Sequence, residues 1–339
     1  MLPEEAKRIQ ADRAARFAFL DGERKGRNMI ADNRRIYLYE YACHEDEREL
    51  CALELRTLFE TKLSPGFLRS ERNIDPSRSP FIRGKLTIEY TAPTLEALAE
   101  QAGRIELGGE TFKLRYMEAE GGADYEEKRR IERVAGASIR GRADMKNPDR
   151  LYGIAYADGL WRLGRFAQSE AVWLRHNDKP RQYSTALGTR TARAVANIAV
   201  PVPEGIRAID PCCGIGTVLI EAGSMGIGID GFDLNPLAVI GARENLAHFG
   251  LPVQVKVADM RTLEGRYDAL VLDLPYNLCS VLAAQERMDM LRSARRLSAR
   301  CVIVATEEIG AEIEAAGFAL ADRCTVRKGK FARHIWVGI

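Results

Sequence analysis

The chain has no C-x-x-C pair, and its seven cysteines, an odd number, are scattered over 339 residues. That pattern argues against a disulfide framework and against a zinc site. Cys212 and Cys213 are adjacent, a spacing unsuited to tetrahedral chelation by one loop, so reduced thiols and no metal are expected. Long apolar runs are missing too. None approaches a signal peptide or a membrane span, and Met1 to Arg16 is charged almost throughout, which predicts a cytoplasmic protein with no membrane partner. An excess of either charge is also lacking: 50 Lys and Arg face 48 Asp and Glu, a net charge of +2. The bulk charge neither demands nor excludes a polyanionic partner, so its distribution must decide. Only four histidines occur, none in a motif, and His176, His248 and His334 read as structural or surface groups.

What is present suits a globular protein. Hydrophobic residues make up 46% and charged residues 29%, and the length allows two or three cores. Residues 4–20 form a weakly amphipathic helical pattern and 21–35 a loop, giving an N-terminal helical extension over 1–34. A strand at 36–41, a helix at 47–59, a Ser-Pro-Gly turn at 64–66, a strand at 85–90, a helix at 94–102 and a strand at 111–117 follow. This order predicts a ferredoxin-like α+β domain over 35–116.

From 125 to 150 the chain becomes locally basic. A helix at 126–135 leads to a turn at Asn147-Pro148-Asp149, then to strands at 151–156 and 160–163 joined by Asp158-Gly159, a hairpin signal. Two readings of the charges stand side by side. They are a solvated face, or Lys128, Arg129, Arg133, Arg140, Arg142 and Lys146 are a stripe that neutralises an RNA backbone. The run Glu132-Arg133 through Gly136-Ala137-Ser138-Ile139, then Asp144-Met145-Lys146-Asn147-Pro148-Asp149, then Gly159 through Gly164, resembles the THUMP domain of RNA-modifying enzymes. The resemblance implies a THUMP-like RNA-binding domain over 117–175 that engages tRNA, chiefly through its acceptor end.

The second half alternates strands and helices. After an Ala-rich helix at 189–200 and the break Pro201-Val202-Pro203, strands are expected at 206–210, 228–233, 253–258, 267–272 and 300–306. Helices are expected at 217–225 and 236–249. Such alternation predicts a mostly parallel, Rossmann-like α/β sheet over 176–339, with 335–339 as an added antiparallel edge strand.

In such sheets ligands bind beyond the carboxyl ends of the strands. Asp210-Pro211-Cys212-Cys213-Gly214-Ile215-Gly216-Thr217 sits at one of these ends. There Gly214 and Gly216 allow close backbone approach to a ligand, and the next helix offers free N–H groups. Asp233 closes the following strand about twenty residues on, the spacing at which an acid chelates a ribose diol. A Walker loop would need a lysine before Thr217, and Gly214-Ile215-Gly216 fits the dinucleotide pattern poorly.

These residues resemble class I methyltransferases that use S-adenosyl-L-methionine (SAM): D-P-x-C-G-x-G-T, then Asp233-Leu234-Asn235-Pro236, then Gly241 to Asn245. The resemblance implies that Gly214 and Gly216 pass beneath the methionine part, with Cys212 and Thr217 in the same loop. Asp210 would lie near the amino group, Asp233, with Leu234 and Asn235 beside it, would hold the ribose hydroxyls, and Asp259 and Met260 would flank the adenine. A turn residue is the competing reading of Asp259. Tyr183, Ser184 and Thr185 are further candidate contacts.

Asp273-Leu274-Pro275-Tyr276 resembles the D/N-P-P-Y/F signature of amino-group methyltransferases. An exocyclic amine conjugated to a ring is a poor nucleophile until acceptors hold its N–H groups. Asp273 supplies one acceptor, the carbonyl of Leu274 another, and Pro275 and Tyr276 complete the motif, with Tyr276 a stacking face for the base. Leu274 stands where the family has proline, so one fixed φ is lost. Arg323, Arg327, Lys328, Lys330 and Arg333 could add phosphate contacts beside the pocket.

Together these features resemble the THUMP-containing tRNA guanine-N2 methyltransferases, over most of residues 35–339. The resemblance implies a seven-stranded class I methyltransferase domain, SAM as cofactor and tRNA as partner. Alternatives are a ribosomal RNA guanine-N2 methyltransferase, a DNA amino-methyltransferase, and a non-catalytic RNA-binding protein with a degenerate methyltransferase fold.

Overall fold

Strand-forming stretches in the first half alternate buried and half-exposed positions, as in Phe112–Tyr116, and so need a cover on one face. In a computed structural model, which describes residues 35–183, 186–275, 283–329 and 331–339, two helices provide it. Strands β1 (Tyr37–Tyr41), β2 (Phe67–Ser70), β3 (Ile82–Ala92), β4 (Phe112–Tyr116), β5 (Arg150–Ala157) and β6 (Leu160–Gln168) form a six-stranded sheet in the order β2-β1-β3-β6-β5-β4. All pairs are antiparallel except β4 with β5. Helices α2 (Leu95–Ala102) and α3 (Tyr125–Ser138) cover one face, with Leu98, Phe112, Leu114, Ile131 and Ile154 in a shared core. Asp124 caps α3 by accepting from the Glu127 N–H at 2.8 Å. Asp158 and Gly159 both take positive φ, 49° and 72°, as a tight hairpin requires.

This sheet is strongly curled. Glu40 of β1 and Arg115 of β4 form an ion pair at 3.2 Å, although a flat sheet would hold those strands about 19 Å apart. The concave face encloses Leu38, Leu86 and Phe166. At Gly164 a Cβ would sit 1.9 Å from the Thr87 carbonyl oxygen, so only glycine permits this strand pairing. Strands on both sides of residue 117 enter this one sheet, so the regions expected over 35–116 and 117–175 share it rather than building two.

The second sheet comprises β7 (Arg207–Asp210), β8 (Gly228–Asp233), β9 (Val255–Val257), β10 (Ala269–Asp273), β11 (Cys301–Ala305), β12 (Leu320–Lys328) and β13 (Phe331–Gly338). Its order is β12-β13-β11-β10-β7-β8-β9, parallel except around β13. The 335–339 run is therefore not an edge. It belongs to β13, between β11 and β12, because Ile335 and Val337 face one core and Trp336 the other. The edge is β12, a stretch whose sequence shows only scattered basic residues.

Helix α1 (Arg48–Phe59) follows β1 in sequence but packs on the second sheet's core, with Leu50, Leu53 and Leu58 beside Val302, Val304 and Ile335. Helices α4 (Thr189–Ala199), α5 (Thr217–Ser224), α6 (Pro236–His248), α7 (Ala284–Leu297) and α8 (Gly310–Ala315) complete this half. A buried polar chain joins the two halves. Glu54 accepts from Ser79 at 2.5 Å and from Asn197 at 2.6 Å; Arg193 donates to the Ser77 and Arg78 carbonyls and to Glu221, which also pairs with His176 at 2.6 Å. Every member has a partner, so the desolvation that raises the Glu54 carboxyl to about 7 is offset by hydrogen bonds rather than left uncompensated. The 1–34 extension lies outside the described residues, and among those described no helix is long and apolar enough to cross a membrane.

Candidate functional site

The chain runs β7, β8, β9 outward on one side of the second sheet and returns to β10 on the other side of β7. Ligands bind at such switch points, beyond the carboxyl ends. Three strands end there in carboxylates: β7 in Asp210, β8 in Asp233 and β10 in Asp273.

The loop after β7 is tied to the end of β8. The Gly214 N–H donates to Oδ2 of Asp233 at 2.8 Å and the Asn235 N–H donates to Oδ1 at 2.8 Å, so Asp233 braces two loops while each oxygen keeps a lone pair. Gly214 has φ 53° and open space where a Cβ would stand. Gly216 differs from expectation. At φ 81° its missing Cβ would lie 3.3 Å from Ala242 of α6, so it serves helix packing and does not line the cleft. Asn245 of α6 is buried and holds the loop from beneath: its amide donates to the Ile215 and Arg181 carbonyls at 3.0 and 3.1 Å and accepts from the Arg181 N–H at 2.8 Å. Sequence spacing does not reveal this bracing role, although the residue closes the Gly241 to Asn245 run.

The resulting cleft is about 580 Å³, ample for a nucleoside-sized ligand. Asp210, Cys212, Gly214, Thr217, Asp233, Leu234, Asn235, Asp259, Met260, Asp273, Leu274 and Pro275 all line it, as does Tyr183. Tyr276, Ser184 and Thr185 lie outside the described residues. Met290 and Glu286 of α7 also reach the wall, although nothing in their local sequence marks them. Met260 is buried with its sulfur 3.6 Å from that of Cys212, forming an apolar wall.

Electrostatically the cleft is acidic. Asp210 is fully buried, and burial, reinforced by the Asp273 and Asp233 charges, pushes its carboxyl well above the usual range. Asp259 is held below the usual carboxylate range by the Arg261 guanidinium, which it binds at 2.6 Å, and its carbonyl accepts from the Thr262 N–H, so it is also a turn residue. Asp273 is the distinctive group. Its Oδ1 is sealed from solvent with no hydrogen-bond donor among the described residues. Burial raises its carboxyl to about 7, against the lowering influence of Arg333. A buried acceptor without a donor costs about 1–3 kcal/mol, and such groups concentrate where a ligand supplies the partner.

Leu274 is itself held in place. Its N–H donates to the Val304 carbonyl at 2.9 Å, a bond proline could not make, and its side chain is buried beside Met290 and Leu272. The bond fixes Leu274 at the position where a proline ring would have fixed φ.

On the other half, Arg129 and Arg133 lie on the exposed side of α3 at i, i+4 spacing. Arg140, Arg142 and Lys146 are exposed in the following segment. That segment is held in place: the Phe112 N–H donates to the Arg142 carbonyl at 3.0 Å, and Asp144 accepts from the Lys146 and Asn147 N–H groups. Lys128 instead pairs with Glu118. His176 sits in the buried chain described above, and His334 bonds Thr325 at 3.2 Å.

Residues 176–308 match the UPF0020 family, described as an RMKL-like methyltransferase domain. This segment is similar to a methyltransferase domain. The chain is 29% identical over 213 residues to the tRNA (guanine(10)-N2)-dimethyltransferase of Methanothermobacter thermautotrophicus, covering 59% of this chain and 62% of that protein. It is also 29% identical over 168 residues to the Pyrococcus abyssi protein of the same name, covering 46% and 50%. The chain thus spans less than two thirds of the length of either relative. Among solved structures, TrmN from Thermus thermophilus superposes with a TM-score of 0.46 at 20% identity, covering 89% of this chain and 99% of that one.

Proposed function

We propose that this protein transfers methyl groups from SAM to the exocyclic N2 amine of a guanosine in tRNA, in the cytoplasm. The observation that carries the reading is the buried Oδ1 of Asp273 at the end of β10, without a donor among the described residues, on the wall of the same cleft as Asp233. The two named tRNA guanine-N2 dimethyltransferases supply the substrate class.

The residues fit the donor. Gly214 offers a bare backbone, Asp233 has lone pairs free for vicinal hydroxyls, Met260 and Leu234 supply apolar walls for a base, and the ring of carboxylates suits a cation. When bound, SAM supplies an electrophilic methyl group on a sulfonium centre. Asp233 and the 211–215 loop orient it; Asp210, near the loop's start, faces its ammonium group. Asp273 accepts an N–H of the target amine, which localises the nitrogen lone pair toward the methyl group and favours the positive charge that develops there. Pinned to Val304, Leu274 keeps this acceptor aimed, and the sealed surroundings exclude competing water.

In this reading the ferredoxin-like 35–116 and THUMP-like 117–175 regions hold the RNA, with Arg129, Arg133, Arg140, Arg142 and Lys146 on its phosphates, and residues 176–339 perform the chemistry. Incubation of unmodified tRNA with enzyme and methyl-labelled SAM, followed by nucleoside analysis, is expected to yield N2-methylguanosine or its dimethyl form. Label on a ring carbon, on adenosine or on protein would overturn the proposal, and preferential labelling of ribosomal RNA would reassign the substrate.

A further inference from the structure

The start of β13 extends past the carboxyl end of β11. Asp273 pairs with Val304 in register, and Val304 pairs with Ile335, so these three side chains point to the same face. Arg333 precedes Ile335 by two residues and therefore shares that face. Because β13 runs antiparallel to β11, Arg333 stands beyond the carboxyl ends, on the side from which a base must enter. Two strand spacings, about 10 Å, separate its strand from that of Asp273, a gap that a planar base and an arginine side chain can span. The guanidinium rests over the Phe331 ring, 5.0 Å from its centroid, and its positive charge acts on the Asp273 carboxyl.

We infer that Arg333 and Asp273 together read the Watson–Crick edge of the target guanine, Asp273 accepting N2–H and N1–H and Arg333 donating to O6. The inference rests on the guanine-N2 reading above and adds the source of base selectivity. Guanine presents donor, donor, acceptor along this edge, which a carboxylate followed by a guanidinium complements. Adenine presents its N1 lone pair beside its amine, and that lone pair would face a carboxylate oxygen. Flipped bases are read along this edge, and a site built to bond a particular group rejects an analogue lacking it. Arg333 is thus assigned to the base, not to a phosphate.

The test uses the full chain and an RNA whose methylated guanosine has been mapped, beside the same RNA carrying 2-aminopurine ribonucleoside there. The analogue keeps the 2-amino group and lacks O6 and N1–H. Wild type should favour guanosine in kcat/KM by about 100-fold, and Arg333→Gln should lower kcat/KM for guanosine about tenfold or more, the size of one base-edge contact. The same variant should change the analogue less than twofold, and Arg333→Lys should recover part of the guanosine rate. SAM affinity, measured by calorimetry, should be unchanged in both variants. If Arg333→Gln slows both RNAs equally, the inference is overturned and the guanine-N2 reading stands. If wild type forms no N2-methylguanosine at all, both fall, and that outcome is visible before any variant is made.

Discussion

The two halves of this molecule handle charge in opposite ways. On the curled six-stranded sheet, Arg129, Arg133, Arg140, Arg142 and Lys146 stand in water on a helix and a tethered loop, where solvent and salt screen them. On the seven-stranded sheet, Asp210 is buried and Asp273 half-buried with a sealed Oδ1 at their strand ends, and desolvation holds both above the ordinary carboxylate range. Exposed cations attract a polyanion over a distance without needing precise geometry. Buried carboxylates act over one hydrogen bond, where a low-dielectric setting makes that bond strong. In the proposed function attraction falls to one half and chemistry to the other, and removing either should leave a different kinetic trace.

The largest effect is expected from Asp273→Asn. Replacing the anionic acceptor should lower kcat by roughly 10²–10³-fold with SAM and RNA affinities within about twofold of wild type, measured by single-turnover kinetics and calorimetry; a smaller effect on kcat than on binding would break the comparison. The wild-type rate should also follow the ionisation of this group. A carboxyl raised to about 7 is protonated, and so unable to act as the anionic acceptor, below that pH. Turnover should accordingly fall as pH drops through about 7, and a flat profile between about 6 and 8 would contradict the assignment.

Next in size is Asp233→Ala. It removes the acceptor of the Gly214 and Asn235 N–H groups as well as the proposed ribose clamp. SAM affinity should weaken by about 10–100-fold, as expected when a charged, hydrogen-bonded group is removed, while RNA binding by filter retention stays unchanged. The smallest effect per residue belongs to the other half. Arg133→Glu with Arg142→Glu should leave kcat at saturating RNA intact and flatten the salt dependence of RNA binding, by about 0.7–0.9 in log–log slope for each phosphate no longer neutralised. An unchanged slope would return these arginines to the role of a solvated face.

Much of the site is legible in the sequence because it is built from strand ends and the loops after them. Asp210 and Asp273 close short apolar runs and Asp233 closes the strand between them in sequence, and the carboxyl ends of parallel strands are where ligands bind. The departures from expectation have equally local causes. Gly216 has the spacing of a cradle residue, but the side on which its Cβ would stand is set by Ala242 of the neighbouring helix. Leu274 reads as a loosened proline, and only the register of β10 with β11 reveals the bond to Val304 that holds it in place. The final strand reads as an edge because a pattern buried on both faces does not reveal which strands flank it.

The sequence by itself determined the alternation of strands and helices from 206 to 273, the positions of the strand-end carboxylates and the glycine loop, since these depend on periodicity and on residues a few positions apart; β2, β12, α7 and α8 are not read from it. Tertiary structure alone decided that α1 crosses to the second sheet, that strands on either side of residue 117 share one curled sheet, and that the Arg333 charge acts on Asp273. Each of those relations joins groups far apart in the chain, in layers or strands that meet only after the sheets form. Their pairing comes from the packing of whole layers, which no local pattern records.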